Sequence, residues 1–269
     1  MIVGFFFLPL LLIGLISFST SKAGLTPGTL TLLNYVKFFT DEYYISVLLF
    51  TFKISLWVTL VTLLIGYPLA YYLVRVVKNK LYRRILYIII VAPLFTSSIV
   101  RAFAWMVILG RTGLINNVLL GLHFVDQPVR FLFNQLGVII GLVYILTPFM
   151  VLTVASVLQN IDKSLEEAAG DLGANKVMTF LKVTLPLSLP GIVAGSLIVF
   201  TLTVSAYVTP AVLGGKKVQV LPMLIYDQFM SLFDWAFGGA LAIVLLASTL
   251  ILIVIYTRFS EQRYEAPSG

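Results

Sequence analysis

The sequence lacks cysteine and contains a single histidine, His123. The first absence excludes disulfides, thiol nucleophiles and thiolate metal ligands. The second excludes a cluster of histidine ligands, and we expect His123 to be a solvated loop residue. Charge is also scarce, since Asp, Glu, Lys and Arg form 11% of the 269 residues against about 25% in soluble domains. The composition therefore predicts an all-α integral membrane protein.

Six apolar segments are long enough to span a bilayer, which takes roughly 20 mostly apolar residues. They cover residues 2–19, 54–74, 85–109, 137–158, 187–207 and 236–256. Six spans place both termini on one side of the membrane. The first segment could instead be a cleaved signal peptide, because Ser21-Lys22-Ala23 is a passable cleavage site. The absence of a positively charged start favours a retained helix.

The loops between these spans differ in composition. Residues 24–42 are predicted to be an external connection with turn residues Pro27 and Gly28. Residues 111–135 are predicted to be a second external loop with a short helix at 116–122. Within the spans, Pro93, Pro148 and Pro190 are expected to bend or interrupt the third, fourth and fifth helices.

Lysine and arginine are divided unequally between the two sides. Ten lie in the loops and tail that would face the cytoplasm and six on the other side, and a basic excess marks the cytoplasmic side. The bias predicts that both termini and the loop around Glu167 are cytoplasmic. The same distribution indicates that the net charge of +7 reflects contact with membrane lipid and not nucleic-acid binding. Lys53 and Arg101 fall in or at spans, where we expect Lys53 to snorkel and Arg101 to be structural.

The polar loop between the fourth and fifth spans contains a short helical pattern. Ser164 and Glu167 match a capping box, so the helix is predicted to begin at Ser164 and to end at Leu172, with Gly173 as its stop. One low-relief face of this helix carries Leu165, Ala168, Ala169 and Leu172. Such a face suits the groove of a partner protein or the lipid headgroups.

A second amphipathic segment follows in the same loop. It is predicted to place Val177, Phe180, Leu181 and Leu185 on one side.

The spacing of Glu167-Ala168-Ala169, Gly173, Val183 and Leu185-Pro186 resembles the signature loop of binding-protein-dependent ABC importer permeases. The resemblance covers nearly the whole chain. Residues 66–71 are similar to the entry of that family's shared transmembrane domain. Residues 100–105, 110–116, 208–215 and 234–238 are similar to its spermidine/putrescine-type branch.

This resemblance implies the type I importer permease fold, with six transmembrane helices and a cytoplasmic coupling-helix loop. Residues 1–50 would form an N-terminal helix and external segment, residues 51–257 the transmembrane domain and residues 258–269 a cytoplasmic tail. The implied subunit forms half of a translocation path in the bacterial inner membrane and has no catalytic residues, metal or cofactor. The sequence agrees in lacking Gly-x-x-x-x-Gly-Lys-Ser/Thr, so ATP and magnesium would bind to a partner.

The resemblance also implies partners and the residues that meet them. The partners are an ABC ATPase dimer, a second and different permease, an external substrate-binding protein and membrane lipid. The residues implied to couple to the ATPase are Ser164, Leu165, Glu167, Ala168, Ala169, Leu172 and Gly173.

The implied substrate is a polyamine or a related small organic solute. Within the same class, an opine, an aminophosphonate, thiamine, sulfate and ferric iron stay open. A polycation would bind carboxylates and aromatic faces, and the side chains of this kind are Trp105, Tyr144, Tyr207, Tyr226, Asp227, Asp234 and Trp235. Alternatively, Asp234 caps the sixth span and the aromatic residues form an interfacial belt.

Two other classes of function are disfavoured by what the spans lack. An ion-coupled secondary transporter would need carboxylates within its predicted spans. An intramembrane enzyme would need acid–base or metal-binding groups there.

Overall fold

The computed structural model describes residues 2–22 and 29–261. The predicted turn residues Pro27 and Gly28, and residues 262–269 of the predicted tail, lie outside this described part. The α-helices are α1 (Ile2–Ser17), α2 (Leu33–Thr40), α3 (Glu42–Tyr71), α4 (Lys80–Val91), α5 (Ser98–Ile108), α6 (Leu114–Gly121), α7 (Gln135–Asn160), α8 (Lys163–Asp171), α9 (Lys176–Thr179), α10 (Leu185–Val204), α11 (Leu221–Met230) and α12 (Trp235–Glu261). The predicted all-α class is confirmed.

Within the described ranges, three π-helical turns and two 3-10 turns extend or join these helices. The π-helical turns are Tyr72–Val76, Phe180–Thr184 and Pro210–Gly214, and the 3-10 turns are Ala92–Phe95 and Gly215–Lys217. The first π-helical turn follows α3 and precedes α4, and the second joins α9 to α10 within the predicted coupling loop.

Four helical runs in the described chain are long and apolar enough to cross a membrane. They are Glu42–Val76, Gln135–Asn160, Lys176–Val204 and Trp235–Arg258. A fifth is formed by Lys80–Phe95 and Ser98–Ile108 together, bent by 102° at the break between them. With the shorter α1, each of the six predicted segments falls on an apolar helix.

The helix of the second span extends beyond the predicted segment 54–74. The helix begins at Glu42, preceded by Asp41, whose carboxylate accepts the backbone N–H of Tyr43 at 2.9 Å. Lys53 therefore lies inside the helix with its side chain exposed. The helical run of the fifth span begins at Lys176, within the predicted loop, and ends at Val204, so Tyr207 lies beyond it.

The third span is interrupted at Pro93. The 3-10 turn Ala92–Phe95 follows α4, and α5 restarts after Ser97, whose hydroxyl accepts the N–H of Ile99 at 3.3 Å. The guanidinium of Arg101 donates to the carbonyl of Pro93, an acceptor at the break in the helix. This contact supports the predicted structural role of Arg101. By contrast, α7 and α10 continue without interruption through Pro148 and Pro190.

The chain divides into two compact units. The first unit comprises residues 1–53 and 204–269. In it, α12 packs against α1, α2 and α11. The core of this unit is formed by Phe38, Val47, Leu221, Leu224, Phe237, Leu241 and Val244.

The second unit comprises residues 54–203 and is centred on α7. Met150 of α7 is completely buried between two glycines. A Cβ added at Gly66 would lie 2.7 Å from Met150 Cγ, and one added at Gly195 would lie 2.7 Å from Met150 Sδ. The glycines therefore let α3 and α10 approach α7 closely, as small residues do between membrane helices.

The predicted short helix between the third and fourth spans is α6, shifted by about two residues from 116–122. Asn116 is fully buried and anchors the loop that contains α6. Its amide donates to the carbonyls of Gly110 at 2.9 Å and Val129 at 3.0 Å. His123 follows α6 and is exposed.

Candidate coupling and substrate sites

Helix α8 begins one residue earlier than the sequence predicts. Asp162 is the N-cap, and its Oδ1 atom accepts the backbone N–H of Ser164 at 3.0 Å. The predicted capping box at Ser164 was therefore wrong. The Asp162 carboxylate suits the N-cap position because an anion there also interacts favourably with the positive end of the helix dipole. The bond from the Ser164 backbone, followed by one from its side chain, lowers the pKa of Asp162.

The C-terminal end of α8 is closed by a Schellman motif. The N–H of Gly173 donates to the carbonyl of Gly170 and the N–H of Ala174 to that of Ala169, each at 2.9 Å. Gly173 has a φ of +88°, which explains the glycine at the predicted stop. The helix ends at Asp171, with Leu172 as its C-cap. Both ends of α8 therefore satisfy their own backbone groups.

The predicted low-relief face of α8 is exposed. Leu165 is 48% exposed and Leu172 89% exposed. Glu167 and Ala168 are exposed as well, while Ala169 is half-buried. A capped helix with an uncovered apolar face is available to a partner protein.

The predicted face of the following segment is split by a π-helical turn. Val177 in α9 and Leu181 in the turn Phe180–Thr184 are exposed, whereas Phe180 and Leu185 are half-buried. The wider turn rotates the later residues away from the α-helical register, so the prediction of one continuous face was wrong.

The half-buried side of this segment packs on α3. Phe180 makes edge contacts with the rings of Tyr67 and Tyr71, at centroid distances of 6.0 and 5.4 Å. The hydroxyls of Tyr67 and Ser188 are 2.9 Å apart in a buried hydrogen bond. Residues 66–71, which resemble the entry of the family's shared transmembrane domain, therefore pack against the coupling loop.

An ion pair that the sequence did not predict lies at the first turn of α8. Arg75 Nε is 3.0 Å from Glu166 Oε1. Arg75 also donates from a terminal nitrogen to the carbonyl of Ile161 at 3.0 Å, and Thr184 donates its hydroxyl to Glu166 Oε1 at 2.9 Å. The sequence indicated Arg75 only as one basic loop residue, because 91 positions separate it from Glu166.

Three of the predicted substrate residues meet in the first unit. The rings of Tyr207 and Tyr226 are stacked, with centroids 4.5 Å apart and planes inclined by 27°. Partial burial, followed by the proximity of Tyr226 and Asp227, raises the pKa of Tyr207. Asp227 is exposed and forms no ion pair within residues 2–22 and 29–261. The cluster combines aromatic faces with an accessible carboxylate, the groups that bind organic cations.

Asp234 and Trp235 have structural contacts. Asp234 Oδ1 accepts the N–H of Phe237 at 3.0 Å and so caps α12, which is the alternative interpretation of this residue. The Trp235 ring makes an edge contact with Phe229 at 5.5 Å.

Trp105 and Tyr144 lie in the second unit, with ring centroids 5.2 Å apart. They line a cavity of about 490 Å³ together with apolar residues such as Ile65, Ile90 and Val143. Its lining includes no carboxylate, so it offers a cation the aromatic faces of Trp105 and Tyr144 and the Thr147 side chain.

The described residues contain no group of three or more His, Cys, Asp or Glu side chains that could hold a metal ion.

Comparison with known proteins decides the family. Residues 62–265 match the family described as "Binding-protein-dependent transport system inner membrane component". The chain belongs to this family. It is therefore a transport subunit of the inner membrane with several membrane-spanning helices, and family membership implies ATPase and substrate-binding protein partners.

The relatives and solved structures agree with this membership. The chain is 37% identical to the spermidine/putrescine transport system permease protein PotB of Escherichia coli (strain K12), over 96% of this chain and 93% of that protein. It is 32% identical to the inner membrane ABC transporter permease protein YdcU of the same strain, over 95% and 82%. The crystal structure of a bacterial ABC transporter involved in the import of the acidic polysaccharide alginate has the same fold, with a TM-score of 0.71 and 21% identity. The structural match covers 97% of this chain and 92% of the matched chain in that transporter.

Proposed function

We propose that this chain is one permease of an ATP-driven importer, with both termini and the α8 loop in the cytoplasm. The observation that carries this proposal is α8, a nine-residue helix closed at both ends by the chain itself that leaves an apolar face uncovered. We propose that the ATPase binds this face through Leu165, Ala168, Ala169 and Leu172. Ser164, Glu167 and Gly173 complete the predicted contact set.

The capped ends of α8 favour its movement as a rigid body. Closure of the ATPase dimer around ATP would displace α8, and the spans would then re-orient between outward-open and inward-open states. ATP and magnesium bind to the ATPase, and this chain converts the displacement into a change of access. The chain forms half of the translocation path, and a second, different permease forms the other half.

The proposed substrate is a polyamine such as spermidine or putrescine. The similarity to PotB over nearly the whole chain supports this substrate. The Tyr207–Tyr226 stack and the exposed Asp227 also fit a flexible polycation, because they offer a π face and an opposite charge. Trp105, Tyr144, Asp234 and Trp235 remain predictions for the remainder of the path.

Reconstitution tests the importer and its substrate separately. The chain is purified with the ATPase and second permease that accompany it, inserted into liposomes and supplied with the binding protein. Accumulation of labelled spermidine or putrescine that requires ATP is the expected result. Uptake driven by an ion gradient without ATP would contradict the importer. ATP-dependent uptake of thiamine, sulfate, ferric iron, an opine or an aminophosphonate in place of polyamine would contradict the substrate alone.

A further inference from the structure

Glu166 is contacted by residues from two π-helical turns. Arg75 belongs to the turn Tyr72–Val76 at the end of α3, and Thr184 is the last residue of the turn Phe180–Thr184 before α10. Both reach the same oxygen, Glu166 Oε1, at 3.0 and 2.9 Å. π-Helical turns are rare and occur mostly at functional sites. Two of them converging on one carboxylate indicate a specific junction between α3, α8 and α10.

The guanidinium of Arg75 contacts α8 at two successive points. It pairs with Glu166 in the first turn and donates to the Ile161 carbonyl just before the helix. A terminal nitrogen forms the hydrogen bond with Ile161, while Nε approaches Glu166 as a charge contact and forms no hydrogen bond among the described residues. Contacts from two nitrogens of one planar group hold its orientation in a way that a lysine ammonium does not reproduce. The Arg75 side chain is only 5% exposed and that of Glu166 22%. Charges withdrawn from water to this extent depend on each other, because an unpaired buried charge is strongly unfavourable.

We propose that the network of Arg75, Glu166 and Thr184 is the joint that passes the displacement of α8 into α3 and α10. In this account Arg75 and Glu166 are positioning residues for coupled transport, acting through α8 without touching solute or ATP. The proposal rests on the proposed docking of α8 on the ATPase. It differs from that docking because Glu166 is half-buried and contacted by Arg75 and Thr184, while Leu165, Ala168 and Leu172 of the docking face are exposed.

Substitution of the pair tests the joint in the assembled importer. Arg75→Gln and Glu166→Gln should each lower the solute transported per ATP by about fivefold or more, the range of a coupling energy between sites, while the ATPase still co-purifies and hydrolyses ATP. The double variant should be no worse than either single variant, because the unpaired charge is then absent. Arg84→Gln, an exposed change of the same kind, should leave the ratio unchanged. Losses that add in the double variant, or an unchanged ratio in both single variants, would overturn the proposal.

A second measurement does not require transport. Because the chain lacks cysteine, spin labels can be attached at Leu64→Cys in α3 and Leu172→Cys after α8, both strongly exposed positions. Pulsed electron resonance on the full chain should give a narrow distance distribution that broadens with Arg75→Gln or Glu166→Gln and not with Arg84→Gln. An unchanged distribution would refute the joint even where the variants lower transport per ATP. Broadening in a chain that imports nothing would refute the proposed function while retaining the joint.

Discussion

Two carboxylates of this chain lie in opposite surroundings. Glu166 is half-buried and engaged by Arg75 and Thr184. Asp227 is exposed beside the stacked rings of Tyr207 and Tyr226, with no ion pair among the described residues. A carboxylate engaged within the chain can connect helices, while an accessible one next to aromatic faces can bind a cation. The comparison therefore separates a mechanical region from a substrate region, and variants of the two should fail differently.

The largest expected effect is at Gly173. Gly173→Val places a β-branched side chain at a φ of +88°, which strains the backbone and opens the C-terminal end of α8. Uptake in proteoliposomes should fall by about tenfold or more, since αL strain costs roughly 1–2 kcal/mol before β-branching is added, and ATP hydrolysis should become uncoupled from transport.

Gly170→Ala is the matched control for this substitution. A Cβ at Gly170 meets nothing within 4 Å, and alanine favours helix. Normal uptake by Gly173→Val, or an equal loss in Gly170→Ala, would contradict the role of the α8 terminus.

The next effect tests the substrate region. Asp227→Asn removes the accessible negative charge, so the apparent KM for spermidine should rise by about fivefold, as for loss of an exposed ion pair, while transport per ATP stays constant. Asp126→Asn makes the same change at another exposed position and should have no effect. A lower ratio of transported solute to hydrolysed ATP in Asp227→Asn would contradict the division into a mechanical and a substrate region, because Asp227 would then act in coupling.

A smaller effect is expected from the stacked rings. Tyr226→Phe retains the π face and should keep uptake near normal, whereas Tyr226→Leu should raise the KM by about threefold through loss of an exposed cation–π contact. The measurement is the concentration dependence of polyamine uptake. Equal KM values for Tyr226→Phe and Tyr226→Leu would show that the hydroxyl or the size of the side chain matters and that the aromatic face does not.

The smallest effect concerns Asp162. Its hydrogen bond to Ser164 lowers its pKa, so the cap stabilises α8 above the unfolded-state pKa of about 3.9 and is lost as pH falls through the folded-state value. Asp162→Ala should lower the thermal stability of the purified chain slightly at pH 7, with the difference shrinking towards acid. Asp171→Ala, at the negative end of the same helix, should not destabilise. A pH-independent difference would show that the carboxylate is not the cap.

Most of the long helices could be predicted from the sequence, because the length of an apolar segment is enough to indicate a membrane helix. The sequence also predicted the stop at Gly173, since a Schellman motif requires local glycine. The break at Pro93 was one of three positions predicted alike, but only there does a 3-10 turn with an arginine partner replace the continuing helix.

The misjudged parts depend on register or distance. Ser164 matched a capping pattern, yet Asp162 lies two residues earlier and supplies an anionic acceptor. A π-helical turn has no reliable sequence signal, so the split of Val177 from Phe180 could not be anticipated. The pairing of Arg75 with Glu166 requires the packing of α3 against the loop, which a single sequence does not contain.

The central claim is that α8 carries force from an ATPase on the cytoplasmic side. In this cysteine-free chain, a single Leu172→Cys substitution places a thiol at an 89% exposed position, and Leu122→Cys marks the predicted external loop. A membrane-impermeant maleimide should label Leu122→Cys in intact cells. It should label Leu172→Cys only in inside-out vesicles stripped of the ATPase, with protection when the ATPase is restored. Labelling of Leu172→Cys in intact cells, or undiminished labelling in the assembled importer, would contradict the account.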